Sequence, residues 1–263
     1  MAGLFQVLWG IVDGKFQKAD SLKGTDEKEL IIPVSGREEM AKNICTRPWA
    51  VDWDFDGDLD LLVGNFEGTF YLFTGEGNGQ FSPEPEAVKS GAEDLQIHGV
   101  HSDPTMVDWD GDGDLDLLSG SSEGGVQWAE NSAGEGNLPV LSSFVSLIEG
   151  VERRNSDGLV GVEDLKKPSR SSRVWVSDLN NDGKLDLLVG DNTTLAEPVE
   201  GLSIEEFQKK QSDWEAEMAE VSSQMSNPKN QEEIQNRFRD LYFAKSEFIN
   251  EERTGFVWAY LRK

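Results

Sequence analysis

The sequence predicts an all-β protein assembled from repeated short strands, with one α-helical hairpin inserted late in the chain. Three observations predict it. The same acidic loop is written three times, as DWDFDGDLD over 52–60, DWDGDGDLD over 108–116 and DLNNDGKLD over 178–186. Each loop runs into an apolar segment that ends on glycine, and apolar segments of this length between glycine and asparagine clusters mark short strands. Beyond Ser203 the apolar positions change to helical spacing.

The loops carry the chemistry. Acidic side chains on alternate positions of a nine-residue stretch repel one another unless a hard cation sits among them, and Ca2+ accepts six to eight oxygens in a flexible geometry. Oxygen-bearing side chains fall at positions 1, 3, 5 and 9 of every loop. In the first these are Asp52, Asp54, Asp56 and Asp60; in the second Asp108, Asp110, Asp112 and Asp116; in the third Asp178, Asn180, Asp182 and Asp186. Position 6 is glycine throughout (Gly57, Gly113, Gly183), where the chain must turn sharply. Position 7 is Asp58, Asp114 and Lys184. An ammonium cannot ligate a cation, so this position is expected to offer its backbone carbonyl in all three loops. The expected cofactor is Ca2+, about three ions. An EF-hand is excluded, because position 12 is Val63, Ser119 or Val189 in strand-like sequence where that motif needs glutamate between helices. The bland alternative is a set of solvated aspartate-rich turns.

The repeat x-V-D-W-D-G-D-G-D-L-D-L-L-x-G resembles the FG-GAP/VCBS repeats of integrin-alpha-like β-propellers of bacterial type, whose signature loop D-x-[DN]-x-D-G-x-x-D joins the first two strands of a blade. The resemblance covers roughly residues 1–200 and 253–263. It implies β-propeller blades, in an incomplete or partial ring, with calcium at the rim of one face. It also implies ligand binding, or in some members polysaccharide-lyase chemistry, on the opposite face.

In that frame each element has a place. In the first full blade Pro48–Trp53 is strand A, Asp60–Gly64 strand B and Thr69–Thr74 strand C, with strand D from Phe81 onward. The second repeats the order as Thr105–Trp109, Asp116–Gly120, Gly125–Ala129 and Pro139–Ile148. The third loop follows the second by 70 residues rather than 56, which predicts a loop insertion around Arg153–Ser169. The segment Leu4–Gly10 followed by Asp13-Gly14-Lys15-Phe16 matches the C strand and C–D turn of the later blades, so the chain is expected to open in mid-blade. Closure by a larger propeller or by another subunit, a possible self-association, is expected. The domain reading is a half-blade over 1–36, blades over 37–93 and 94–165, a blade from 166, a helical hairpin over 201–252 and a returning strand over 253–263.

The hairpin is read from its caps and its seam. Ser203 and Glu206 form a capping box, and Ile204, Phe207, Trp214, Met218, Val221 and Met225 recur at helical spacing. Asn227-Pro228 is expected to cap a second helix carrying Ile234, Phe238, Leu241, Phe248 and Ile249, each helix running about six turns with one coiled-coil-like apolar seam. Thr254–Leu261 then reads as strand C of the last blade.

Composition narrows the function classes. With 263 residues, 27 glycines and 37% hydrophobic content, the chain can bury a substantial core. The formal charge is −26, from 50 acidic against 24 basic residues, which excludes nucleic acid and disfavours an anionic membrane. The single Cys45 excludes an internal disulfide, leaving calcium to staple the loops. No apolar run is long enough to span a membrane, so no membrane insertion is expected, and MAGLFQVLWG lacks the basic start of a signal peptide. The plentiful calcium outside cells points to an extracellular or periplasmic parent protein.

A second group of residues is expected on the face opposite the loops. Arg47, His98, His101, Asp103, Arg170 and Arg173 precede the innermost strands. His101, Arg173 and Asp103 are the weak catalytic candidates, with His101 as base and Arg173 as charge stabiliser for β-elimination from an acidic sugar. The alternative is that such residues bond loop carbonyls and pair with surplus carboxylates. Zinc on His98-x-x-His101 lacks a supporting cysteine. The leading expectation is therefore a non-catalytic calcium-binding propeller module that binds a protein or glycan. The rival is a lyase or hydrolase of acidic polysaccharide.

Overall fold

The computed structural model describes residues 5–8, 10, 13–17, 20–151, 159–225 and 230–263. The chain divides into two compact units, one of 1–151, 167–191 and 256–263, the other of 152–166 and 192–255. The fold is all-β, a partial propeller of antiparallel blades with a helical insert.

The first unit opens with β1 (Gln6–Val7) paired to β2 (Asp20–Ser21), a two-stranded ribbon whose turn is closed by the Gly10–Phe16 bridge. A six-residue helix α1 (Arg37–Lys42) leads to the first full blade. That blade orders β3 (Arg47–Val51), β4 (Asp60–Gly64), β5 (Phe70–Phe73) and β6 (Glu86–Ala87) side by side. The fourth strand is shorter than the sequence suggests. After Val88 the chain makes a small hairpin, β7 (Lys89–Ser90) with β8 (Glu93–Asp94), and returns so that Gln96 pairs with Thr69. The second blade repeats the order with β9 (Asp103–Val107), β10 (Asp116–Gly120), β11 (Val126–Ala129) and β12 (Val145–Ile148). In the third, β13 (Arg170–Ser177) lies beside β14 (Asp186–Pro198), whose Leu187–Gly190 segment pairs on its other side with β16 (Val257–Tyr260).

The second strand of each blade explains how the blades stack. Alternate side chains of a strand point to opposite faces, and DLLVG and DLLSG are apolar on both. Leu61 and Val63 join Phe5, Leu30, Ile32, Phe73 and Phe81 on one side of the first blade. Leu62 joins Met106, Leu117 and Phe144 on the other. One blade later Leu117 faces back into that cluster, while Leu118 faces Val174, Leu187 and Val189 of the third blade. Leu62, Val63, Leu117 and Leu118 are fully buried. A strand sandwiched between neighbours must be apolar on both faces, and this one is. Trp53 and Trp109, at loop position 2, pack against these inter-blade clusters.

Adjacent blades also meet through backbone. The glycine that ends β4, Gly64, has Ser102 O where a Cβ would stand, at 2.4 Å, and Gly120 of β10 meets Ser172 O in the same way at 2.1 Å. Ser102 Oγ accepts from Asn65 N–H, and Ser172 Oγ accepts from Ser121 N–H, each at 2.9 Å.

In the second unit Thr193–Pro198 of β14 pair with β15 (Ile249–Thr254), and α2 (Ile204–Gln224) and α3 (Gln231–Ala244) form the hairpin. Ser203 caps α2 as expected, its Oγ accepting from Glu206 N–H while the Glu206 carboxylate accepts from Ser203 N–H. Trp214 Nε1 donates to Leu241 O at 2.7 Å, tying the helices together. The second helix differs from expectation. It spans 14 residues rather than six turns, begins after Asn230, and gives way to a short 3-10 turn so that Ile249 opens a strand. The expected cap at Asn227-Pro228 lies outside the described residues. Phe207, Phe248, Ile249 and Ala196 form this unit's buried cluster. Of the loop expected around Arg153–Ser169, residues 153–158 lie outside the described residues.

Candidate metal centre

Each acidic loop joins the first strand of a blade to the second. Its shape comes from two left-handed residues. Position 6 has φ of +94° at Gly57, +97° at Gly113 and +84° at Gly183. Position 4 is left-handed as well, with Gly111 at +85°, Asn181 at +59° and Phe55 at +62°. Glycine and asparagine adopt this conformation readily; phenylalanine does not.

Side chains at positions 3 and 5 fold back on the loop's own backbone. Asp56 N–H donates to Asp54 Oδ1 and Asp58 N–H to Asp56 Oδ1; Asp112 and Asp114 repeat this on Asp110 and Asp112, as do Asp182 and Lys184 on Asn180 and Asp182. The bonds leave each carboxylate a second oxygen. Asp52, Asp54 and Asp60 bring oxygens within 4.8 Å of one another, and Asp108, Asp110 and Asp116 do the same. These two acidic triads could hold a metal ion. In the third loop Asn180 stands where the others have aspartate, and its Nδ2 donates to Asp182 Oδ2 at 3.1 Å.

Position 9 does more than its spacing suggested. Asp60 Oδ2 accepts from Trp53 N–H at 2.6 Å and its Oδ1 from Gly75 N–H at 2.7 Å. Asp116 accepts from Trp109 N–H at 3.0 Å and Asn131 N–H at 2.8 Å, and Asp186 from Leu179 N–H at 2.9 Å and Arg262 N–H at 2.8 Å. The buried position-9 carboxylate thus brackets the loop to the end of the third strand in every blade. Spacing could not reveal this, because the donors are backbone amides of any residue type. Burial raises the pKa of Asp60 and Asp116 above the usual carboxylate value, against the lowering effect of these bonds.

Position 7 separates the loops. Asp114 is 1% exposed, its Oδ2 accepting from Gly134 N–H at 2.7 Å. Burial, with Asp112 and Asp110 alongside, raises its pKa. Asp58 and Lys184, at the equivalent positions, are exposed.

The donor set suits a hard cation. It consists of oxygen, and two buried acceptors, Asp52 Oδ1 and Asp114 Oδ1, have no hydrogen-bond partner among the described residues. A buried carboxylate oxygen left unpaired is costly, and a cation would satisfy it. Asp52, Asp54, Asp56 and Asp60 would hold an ion in the first loop, and Asp108, Asp110, Asp112 and Asp116 in the second. Such an ion would supply charge neutralisation.

The residues expected on the opposite face divide. Arg47, Asp103 and Arg173 come together: Asp103 Oδ1 lies 2.7 Å from Arg173 Nη1 and 3.9 Å from Arg47 Nε. The three stand at one register position of β3, β9 and β13, five residues ahead of the respective loop. Burial raises the Asp103 pKa, with Arg173 and Arg47 pulling it down. His101 has a left-handed φ of +65°, its ring lies 4.6 Å from Phe66, and its carbonyl accepts from Arg47 Nη1. Its Nε2 is buried without a partner among the described residues. His98 is held through its backbone by Gln127, and Arg170 opens β13 as an exposed residue.

Fold and site together define a class: a partial β-propeller whose turns between first and second strands are acidic loops suited to a metal. The family model of the FG-GAP-like repeat matches residues 52–119, from the start of the first loop into β10, about a quarter of the chain. Comparison with curated proteins and with solved structures gave no match. No helix among the described residues is long and apolar enough to cross a membrane.

Proposed function

We propose that this protein is a calcium-binding, non-catalytic propeller module that presents a rigid surface to a protein or glycan partner outside the cytoplasm. The observation that carries the reading is the pair of acidic triads, together with two buried carboxylate oxygens that have no hydrogen-bond partner among the described residues, Asp52 Oδ1 within the first triad and Asp114 Oδ1 in the second loop. All-oxygen donors on loops that turn at glycine suit Ca2+ better than softer metals. On the other face, Asp103 is committed to two guanidinium groups and His101 Nε2 is enclosed by protein. That favours a clamp between blades over an acid–base pair.

Calorimetric titration with CaCl2 tests the metal reading, together with melting in calcium and in EDTA. Binding to the folded state alone adds RT ln(1 + [Ca2+]/Kd), about 2.7 kcal/mol per site at a hundredfold excess. Melting should therefore rise with calcium and fall with chelator. An unchanged midpoint and no binding heat would overturn the reading. A panel of glycans on an array, probed in calcium, tests the partner class.

A further inference from the structure

We propose that the acidic loops hold divalent cations with unequal strength, the 108–116 loop most tightly and the 178–186 loop most weakly, and that the side chain at position 7 sets this order. The inference rests on the calcium reading above and deepens it by assigning a role to a position that the loop pattern uses only through its backbone.

Asp114 carries the inference. It is 1% exposed, Gly134 N–H fixes one of its oxygens, and the other is buried with no hydrogen-bond partner among the described residues. Its own N–H is anchored to Asp112 Oδ1 at 3.1 Å, and the carboxylates of Asp112 and Asp110 are its electrostatic neighbours. A fixed negative oxygen enclosed beside other carboxylates is poorly solvated, and a divalent ion in the loop is the partner that removes both penalties. Because screening is weak where water is excluded, that charge acts on the ion more strongly than an exposed one. Asp58, the equivalent residue of the first loop, is exposed and contributes a screened charge.

The third loop departs in the opposite direction. Its five chemical positions hold three carboxylates, one amide and one ammonium, against five carboxylates in each of the others. Asn180 already donates to Asp182, so part of the Asp182 charge is satisfied internally. Near the second loop, Arg262 engages the carbonyl and ring of Trp109 rather than a loop carboxylate.

The test is calorimetric titration of the whole chain with CaCl2, for wild type, Asp114→Asn, Asp58→Asn and Lys184→Asp. Wild type should show more than one affinity class. Asp114→Asn should weaken the tightest class roughly tenfold or more, the size expected for a unit charge a few ångströms from an ion where water is excluded, and Lys184→Asp, a two-unit change at an exposed position, should strengthen the weakest class by roughly threefold or more. Asp58→Asn should change affinity less than Asp114→Asn. Hydrogen exchange at Gly134 N–H gives a second readout, because calcium should protect it in wild type and much less in Asp114→Asn. Should Asp114→Asn fail to fold, Lys184→Asp decides alone. Equal sites in wild type, or an unchanged weakest class in Lys184→Asp, would overturn the inference while leaving calcium binding intact. No binding in any variant would overturn the calcium reading itself.

Discussion

Arg173 Nη1 lies 2.7 Å from Asp103 Oδ1, and the two residues occupy the same register position in neighbouring blades. Arg47, one blade earlier, approaches the same carboxylate. One acid therefore links the first strands of three successive blades. Asp103→Asn would leave two guanidinium groups facing a neutral amide. Removing one partner of a buried pair costs about 3–5 kcal/mol. Arg173 is half exposed, so solvent reduces the expected loss to about 1–3 kcal/mol, measurable by urea unfolding. A midpoint equal to wild type would show that the clamp contributes nothing to stability.

His101 should give the protein a stability slope near neutral pH. Burial, then Arg47 and Arg173, hold its pKa below the usual histidine value. A depressed folded pKa means that the stability is complete above the unfolded value, about 6.5, and is lost as pH falls through the folded one. In saturating calcium, melting should decline on acidification from about pH 7.5 to 5.5, and less steeply in His101→Asn, since asparagine tolerates the left-handed backbone there. Parallel slopes for the two proteins would remove His101 from the account.

Gly120→Ala should be among the most damaging small substitutions. The added methyl would stand 2.1 Å from Ser172 O, a backbone atom of the next blade, so the blades themselves must part. The expected cost is about 3 kcal/mol. Gly190 ends the same segment in the third blade, where an added Cβ meets only Arg173 Cβ at 3.9 Å. Gly190→Ala should be tolerated within about 1 kcal/mol. Equal losses in both would mean that the close approach is not what matters.

Phe55→Asn should stabilise. Phe55 is 43% exposed and left-handed, at the position where the other loops have Gly111 and Asn181. Relief of that backbone conformation is worth about 1 kcal/mol. A destabilised variant would show that the phenyl ring contributes more through contact than it costs through strain.

Much of this fold was legible because its rules are local. Position-6 glycine, the two-faced apolar run of β4 and β10, and the Ser203 capping box each follow from a handful of adjacent residues. What escaped the sequence depends on distant backbone. The bonds from Gly75, Asn131 and Arg262 N–H to the loop aspartates carry no side-chain signature. The second half of β14 reads NTTLAEP, polar and ending on proline, and becomes a strand because β15 returns beside it. α3 is shorter than the apolar spacing predicts because Phe248 and Ile249 keep that spacing while the chain turns from helix to strand. The buried state of Asp114 was hidden for a related reason: Asp58 has the same local sequence and a different exposure.

The position-9 bracket has a consequence for how such a chain can change. Its two ends are 15 residues apart in the first two blades and 76 apart in the third, yet the contact is the same. A segment as long as the helical hairpin can therefore be spliced between the second and third strands while the metal loop stays fastened. Evolution can treat that junction as a port for new parts, and an engineer could exchange the cargo there without rebuilding the loop.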